Sequence, residues 1–334
     1  MQKILLIGNF LSNVKGTKAV SESIAESELS NNFDFQLVSR YQSQFLRLVD
    51  MTWRIISFKD RTIHIDVFSG RAFRFASIIS FIAVLRNKRV IMTLHGGALP
   101  EYTNGKKKFV KRVLKRANYL QTPSKYLKEY YGSIGISVHY LPNPIDLKRF
   151  PYKRTEVKPF SLLWVRAFST IYNPNIPVRV LKSLLENFPE ATLTMVGPDK
   201  GIRKRTQNLV EELGVVGRVK FVGPIPNDEL CKYYQTHHVF LNTTSYESFG
   251  VAVVEAAACG IPIVSNRVGE LPYLWKNGTD ILFAEKNKES NYIKQVENIF
   301  TIPELGPTLS RNARAKAEQF DLLNVINNWK IILE

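Results

Sequence analysis

Cysteine is nearly absent: the 334-residue chain has two, Cys231 and Cys259, both inside apolar segments. They suit small core positions in a reducing compartment, and they exclude a disulfide framework. Long apolar runs are missing too. The longest, residues 75–85, holds two serines and falls well short of the ~20 residues a membrane-spanning helix needs, so a buried helix is expected there. The opening Met1-Gln2-Lys3-Ile4-Leu5-Leu6-Ile7-Gly8 turns polar too soon for a secretory signal, which points to a cytoplasmic protein. No Asp-x-Asp occurs, nor any His/Cys/Asp cluster at metal-ligand spacing, so chemistry without a metal or other cofactor is expected. No Gly-x-Gly-x-x-Gly follows the first apolar strand, and Gly16-Thr17 is the one flexible point of the loop after it.

Acid is scarce in one half only. Residues 1–150 carry 24 Lys/Arg against 10 Asp/Glu, whereas residues 151–334 carry 22 against 19. Charge so one-sided suits an anionic surface or substrate, although a merely solubilising face would look the same. It peaks in Lys106-Lys107-Lys108-Phe109-Val110-Lys111-Arg112-Val113-Leu114-Lys115-Arg116. There Phe109, Val113, Ala117 and Leu120, with Val110 and Leu114, recur at helical spacing and seven basic residues fill the remaining circumference. The apolar stripe is expected to pack on a sheet. The charges then either face water or attract anionic lipid, at about 1 kcal/mol per basic residue near a membrane. Nothing resembling a nucleic-acid reader accompanies them, so no nucleic-acid partner is expected.

The length suits two domains. Apolar strands alternate with helical patterns throughout, the signature of parallel α/β sheets. Strands are expected at 3–8, 35–39, 63–68, 89–94, 119–122 and 139–141, then at 160–165, 191–197, 219–222, 239–241 and 261–265. Helices are expected at 19–31, 71–85, 250–259, 307–319 and 322–333, and the Pro- and Lys-rich 150–159 reads as a linker. In open α/β sheets ligands sit at the carboxyl ends of strands. The strand 89–94 runs straight into His95-Gly96-Gly97, and 160–165 delivers Arg166.

One stretch organises the rest: Tyr246-Glu247-Ser248-Phe249-Gly250-Val251-Ala252-Val253-Val254-Glu255-Ala256-Ala257-Ala258-Cys259-Gly260-Ile261-Pro262. Glu247 precedes a helix, Glu255 lies on its second turn, and Gly260 caps its end. Unsatisfied amides at a helix start hold an anion, and carboxylates on either side can take hydroxyls. A nucleotide sugar has that chemistry. Glu255 interrupts an otherwise apolar helix, and a buried carboxylate needs partners, which ribose hydroxyls would supply.

This stretch, continuing through Pro262-Ile263-Val264-Ser265 and Gly269-Glu270-Leu271-Pro272, resembles the Glu-x7-Glu signature of the retaining glycosyltransferases of family 4. The resemblance implies a GT-B fold, two Rossmann-like α/β domains facing across a cleft. An acceptor domain over 1–150 would be joined by a final helix, about 320–334, and a nucleotide-sugar domain would span 156–319. It implies that Glu247 orients the sugar hydroxyls, that Glu255 holds the ribose, and that Arg166 grips the diphosphate. His95 would face the transferred sugar, a loop bearing Gly16 would close over the phosphates, and the backbone at Ile225 would meet the base. Phe249, Gly250 and Val251 would line the donor at the helix start. Pro142-Asn143-Pro144-Ile145-Asp146 resembles the family's signature near the linker and reads as structural.

Two departures stand out. The family commonly adds a lysine shortly after the arginine, where this chain has Ile171-Tyr172-Asn173-Pro174. Either Tyr172 or Asn173 substitutes for it, or one of Arg203, Lys204 and Arg205 reaches in. The family also usually has Gly-Gly where this chain has Gly269-Glu270, and an acid where it has Tyr273. The expected activity is metal-independent, retaining transfer from a nucleotide sugar, UDP-linked by preference, to a glycan or lipid-linked acceptor in cell-surface polysaccharide synthesis. The enzyme would adhere peripherally to an anionic membrane through Lys106–Arg116. The competing reading is a catalytically silent scaffold of the same fold.

Overall fold

The computed structural model describes residues 1–8, 10, 19–153, 157–285 and 288–334. The expected loop 9–18, Gly16 included, lies outside the described residues except for Phe10, as do 154–156 of the expected linker. The chain divides into two compact units, Met1–Pro144 with Leu322–Glu334, and Ile145–Asp321.

In the first unit six parallel strands, β1 (Gln2–Ile7), β2 (Phe33–Val38), β3 (Thr62–Val67), β4 (Arg89–Leu94), β5 (Tyr119–Thr122) and β6 (His139–Tyr140), lie in the order β2-β1-β3-β4-β5-β6. The period of two along each strand sends alternate side chains to opposite faces. Leu5 and Ile7 join Ile63, Ile65, Val90 and Met92 in one core cluster, and Ile4 and Leu6 join Ile91 in another. Covering the first face are α2 (Gln44–Ser57), α3 (Arg71–Leu85) and α5 (Lys107–Leu114). The second face meets α1 (Val20–Ala25) and the last helix, α14 (Leu322–Leu333), through Ile24, Val325, Ile326 and Trp329. Two further helices, α4 (Leu99–Asn104) and α6 (Lys125–Ser133), follow β4 and β5.

The second unit repeats the plan. Strands β7 (Ser161–Val165), β8 (Thr192–Val196), β9 (Val219–Gly223), β10 (Val239–Asn242), β11 (Ile263–Asn266) and β12 (Leu282–Ala284) are parallel, in the order β12-β11-β10-β7-β8-β9. One face carries α7 (Asn175–Leu184), α8 (Arg203–Glu212) and α12 (Glu289–Thr301). The other carries α9 (Asn227–Thr236), α10 (Val251–Cys259), α11 (Leu271–Leu274) and α13 (Leu305–Ala317). Cys231 and Cys259 are free, buried thiols on facing helices, 3.2 Å apart.

Several expected boundaries move by a residue or two. Phe160 takes a left-handed backbone (φ 53°), so β7 begins at Ser161. The strand expected from 261 begins at Ile263, after the Gly260 cap. The basic helix ends at Leu114, and Leu120 belongs to the strand β5. Helix α2 has no counterpart among the expected helices, although Arg47, Asp50, Arg54 and Ser57 recur there at helical spacing and most of the remaining circumference is apolar.

Candidate active site

Strand order reverses in the second sheet between β7 and β10, so their carboxyl ends splay apart, which is where open α/β sheets bind ligands. Arg166 follows β7 and Asn242 ends β10. The Arg166 guanidinium donates from Nε (3.3 Å) and Nη2 (3.1 Å) to Asn242 Oδ1, and its Nη2 pairs with Glu247 Oε2 at 2.5 Å. It also lies over the Tyr172 ring, 5.3 Å from the centroid. Burial opposes its charge, yet the surrounding groups, Glu247 foremost and Glu255 among them, hold its pKa above the ordinary arginine value.

Glu247 is fixed through its backbone. Glu270 N donates to Glu247 O at 3.0 Å, and a side chain at Gly269 (φ 54°) would meet that oxygen at 1.9 Å, so only glycine lets the two loops touch. The chain then enters α10 through Gly250, whose left-handed backbone (φ 92°) turns it sharply. The first amides donating within the helix are those of Val253 and Val254, both to Gly250 O. The preceding amides form the positive end of the helix dipole. Every α10 residue after Val251 is buried, and Glu255 is only 8% exposed. Tyr234 Oη donates to Glu255 Oε2 at 3.4 Å. Burial pushes the Glu255 carboxyl up to about 7, against the opposing pull of Arg166, the Tyr234 hydroxyl and Arg149. The two acids of the signature therefore share one cation.

The first unit builds its own polar cluster at the corresponding place. Strand order there reverses between β1 and β3. Asp66, near the end of β3, accepts from Ser21 Oγ at 2.9 and 2.8 Å, and lies 2.9 Å from His95 Nε2. The His95 ring stacks on Phe68, 5.4 Å between centroids. Burial raises the Asp66 pKa, but the charge and hydrogen bond of His95, with His64 and Ser21, outweigh it and leave the carboxyl below its usual range. His64 is fully buried, its Nε2 2.7 Å from Thr93 Oγ1 and its ring edge-on to Trp329 at 5.4 Å. Burial drives its imidazole down to about 4, Asp66 opposing and His95 assisting.

A consequence for stability follows. A histidine with a depressed folded pKa contributes stability above its unfolded value of about 6.5 that is lost as the pH falls through about 4. Between pH 7 and pH 4 the loss should approach ~3 kcal/mol. Urea midpoints at pH 7 and pH 4 should show it, and His64→Leu should flatten the slope. An unchanged slope in that variant would remove His64 as the cause.

A family model described as "Glycosyl transferases group 1" matches residues 147–316, half of the chain, and one described as "Glycosyltransferase Family 4" matches residues 30–149. The chain belongs to the group 1 glycosyl transferases. Its fold is GT-B, read as two parallel-sheet α/β units. A sucrose-phosphate synthase of Thermosynechococcus elongatus superposes with a TM-score of 0.85 at 18% identity, covering 99% of this chain and 98% of that one. HepE of Anabaena, solved with UDP and glucose, gives 0.78 at 16% identity, covering 100% and 99%. A D-inositol 3-phosphate glycosyltransferase of Acidothermus cellulolyticus is 30% identical over 173 residues, 49% of this chain and 38% of that protein. The chain spans about half the length, or less, of the first curated relatives it matches.

In this group 1 glycosyl transferase the candidate residues do not all present side chains to a ligand. Phe249 is 1% exposed and packs edge-on to Phe320, leaving its backbone alone available. Asn173, a candidate stand-in for the missing lysine, has its Nδ2 donating to Thr243 O (3.1 Å) and Ser245 Oγ (2.6 Å), which ties down the loop. Tyr172 instead lends its ring to Arg166. Of the three basic alternatives, Arg203 lies over the Phe168 and Phe221 rings at 5.8 and 5.7 Å, and Lys204 and Arg205 are exposed. Ile225 sits in the loop after β9, partly buried against the core, and Val251 opens α10 at 37% exposure. Asn242, Tyr234 and Asp66 went unrecognised in sequence. The only signal was a polar residue near the carboxyl end of an apolar strand, which marks Asn242 and Asp66 but not Tyr234. Among the described residues no group of three or more His, Cys, Asp or Glu is placed to hold a metal.

Proposed function

We propose that this protein transfers a sugar, with retention, from a nucleotide sugar to a glycan or lipid-linked acceptor in cell-surface polysaccharide synthesis. The donor is taken to be a UDP-sugar, in line with the UDP and glucose bound by the Anabaena neighbour. The observation that carries the reading is one guanidinium, Arg166, paired with Glu247 and electrostatically coupled to Glu255 at the N-terminus of α10.

In this reading the diphosphate rests on the first amides of α10 and on Arg166, so its charge needs no metal. Glu255 accepts from the ribose hydroxyls. Glu247 trades part of its pairing with Arg166 for the sugar hydroxyls, and His95, oriented by Asp66, adds a hydrogen bond to the sugar. The bond from the anomeric carbon to the phosphate oxygen breaks through an oxocarbenium-like state. The departing phosphate takes the acceptor's proton, and the acceptor oxygen bonds to the same face of the sugar. The work is done at the cytoplasmic side of an anionic membrane, drawn there by the basic residues of α5.

A thermal-shift screen of nucleotides and nucleotide sugars tests this, because a ligand of the folded state alone raises Tm. UDP and its sugars should raise it, with slow release of free sugar from one of them. No stabilisation by any nucleotide diphosphate would refute the reading, and binding without turnover would favour the silent scaffold.

A further inference from the structure

Helix α2 has two apolar faces. Leu48, Met51 and Ile55 pack onto the first core, while Phe45, Val49 and Trp53 form a second stripe at four-residue spacing that faces away from it. Their exposures are 74, 50 and 67%. Helix α3, which packs against α2, repeats the pattern. Phe73, Ala76 and Ile79 turn inward, and Ile78, Phe81 and Leu85 stand 42, 51 and 66% exposed. Scattered exposed apolar residues are ordinary, but two adjacent helices each presenting such a stripe form a surface that favours leaving water.

The charge around it is one-sided. Arg71 and Arg74 of α3 share the helical face of Ile78 and Phe81, Arg116 lies over the Phe81 ring at 5.3 Å, and α3 has no acid. On the polar side of α2, away from the stripe, Arg54 pairs with Asp50 at 3.7 Å and Arg47 donates to Tyr41 O. The basic helix α5 adjoins α3: Phe109 meets Phe73 edge-on at 5.9 Å, and Arg116 donates to Ser77 O at 2.7 Å. Yet α5 buries Val110, Val113 and Leu114 and offers outside only Phe109, at 38% exposure. It can attract a charged surface but has almost nothing to insert. No helix among the described residues is long and apolar enough to cross a membrane.

We infer that the α2–α3 face is the part of this protein that enters the interfacial layer of an anionic bilayer, with α5 supplying attraction alone. Aromatic and aliphatic side chains rimmed by arginine are the composition of interfacial helices. A second copy of the chain is the poorer occupant, because a two-fold contact would set the same arginines of both copies against each other. The inference rests on the membrane-facing role proposed above. It moves the contact from α5 to α2, which has no counterpart among the expected helices, and to α3, which is expected from sequence to be buried but whose outer face is exposed.

Trp53 provides the probe, since Trp164, Trp275 and Trp329 are only 0, 3 and 3% exposed. The full chain is titrated with vesicles of phosphatidylglycerol and phosphatidylcholine, and with phosphatidylcholine alone. On the anionic vesicles Trp53 emission should shift to the blue and be quenched by lipids brominated along the acyl chain. Phe45→Ser/Trp53→Ser/Phe81→Ser should weaken co-sedimentation by about tenfold or more. Its thermal shift with UDP, which reports on the second unit, should stay unchanged. Lys107→Glu/Lys111→Glu should weaken binding to anionic vesicles while the emission shift of the bound fraction persists. Three results would overturn the inference. One is water-like Trp53 emission on vesicles that do bind the protein, and another is a triple variant that partitions like the wild type. The third is a wild-type dimer that the triple variant breaks, without vesicle binding by either protein. The nucleotide shift separates each of these from a failure of the proposed transferase activity.

Discussion

Arg166→Ala is expected to lower kcat/KM for donor turnover by about 10²–10³-fold, the range seen when one preorganised charge-stabilising donor is removed. Free release of sugar from the donor provides the assay and needs no acceptor. Arg166→Lys should recover little of the loss. The guanidinium is forked between Asn242 Oδ1 and Glu247 Oε2, and a single ammonium cannot hold both while meeting a phosphate. Truncation also leaves the Glu247 carboxylate without its ion-pair partner, so a stability cost of about 3 kcal/mol should accompany it. Measuring Tm and nucleotide Kd on the same variant separates the two effects. If the variant folds and turns over donor within a few-fold of the wild type, the diphosphate is held elsewhere.

Binding of the nucleotide should depend on pH through Glu255. With its pKa raised to about 7, this carboxyl is partly protonated at neutral pH. Ribose hydroxyls donate to the charged form, so binding favours loss of the proton and Kd should fall as the pH rises from 6 to 8, by up to about tenfold. The stability contribution runs the other way. A carboxyl raised above its unfolded value favours the folded state fully below about pH 4.5, and that contribution is lost as the pH rises through about 7. Saturating nucleotide should therefore stabilise the protein more at pH 8 than at pH 6. Glu255→Gln should flatten both trends, and a pH-independent Kd in the wild type would contradict the assignment.

The parts legible in sequence are those whose signal is local. The α/β alternation, the helix after Gly250 and the delivery of Arg166 and His95 at strand ends all follow from residues within a turn or two of each other. What was not legible depends on partners far along the chain. Asn173 looked available until Thr243 and Ser245 claimed its amide. Asp66 and Asn242 carry no local mark of function, and only the sheet sets them beside His95 and Arg166. Tyr234 lies on α9, and only the packing of α9 on α10 brings its hydroxyl to Glu255. Helix α2 is legible by the same local rule, although it is not among the expected helices: Arg47, Asp50, Arg54 and Ser57 recur at helical spacing opposite a wide apolar arc.

The most direct test is a calorimetric cycle on the second acid. UDP and its 2′,3′-dideoxy analogue are each titrated into the wild type and into Glu255→Ala. The account predicts that losing the ribose hydroxyls weakens binding to the wild type by about tenfold or more, and that the same loss has almost no effect on the variant. Equal penalties in both proteins, or UDP binding untouched by Glu255→Ala, would contradict it.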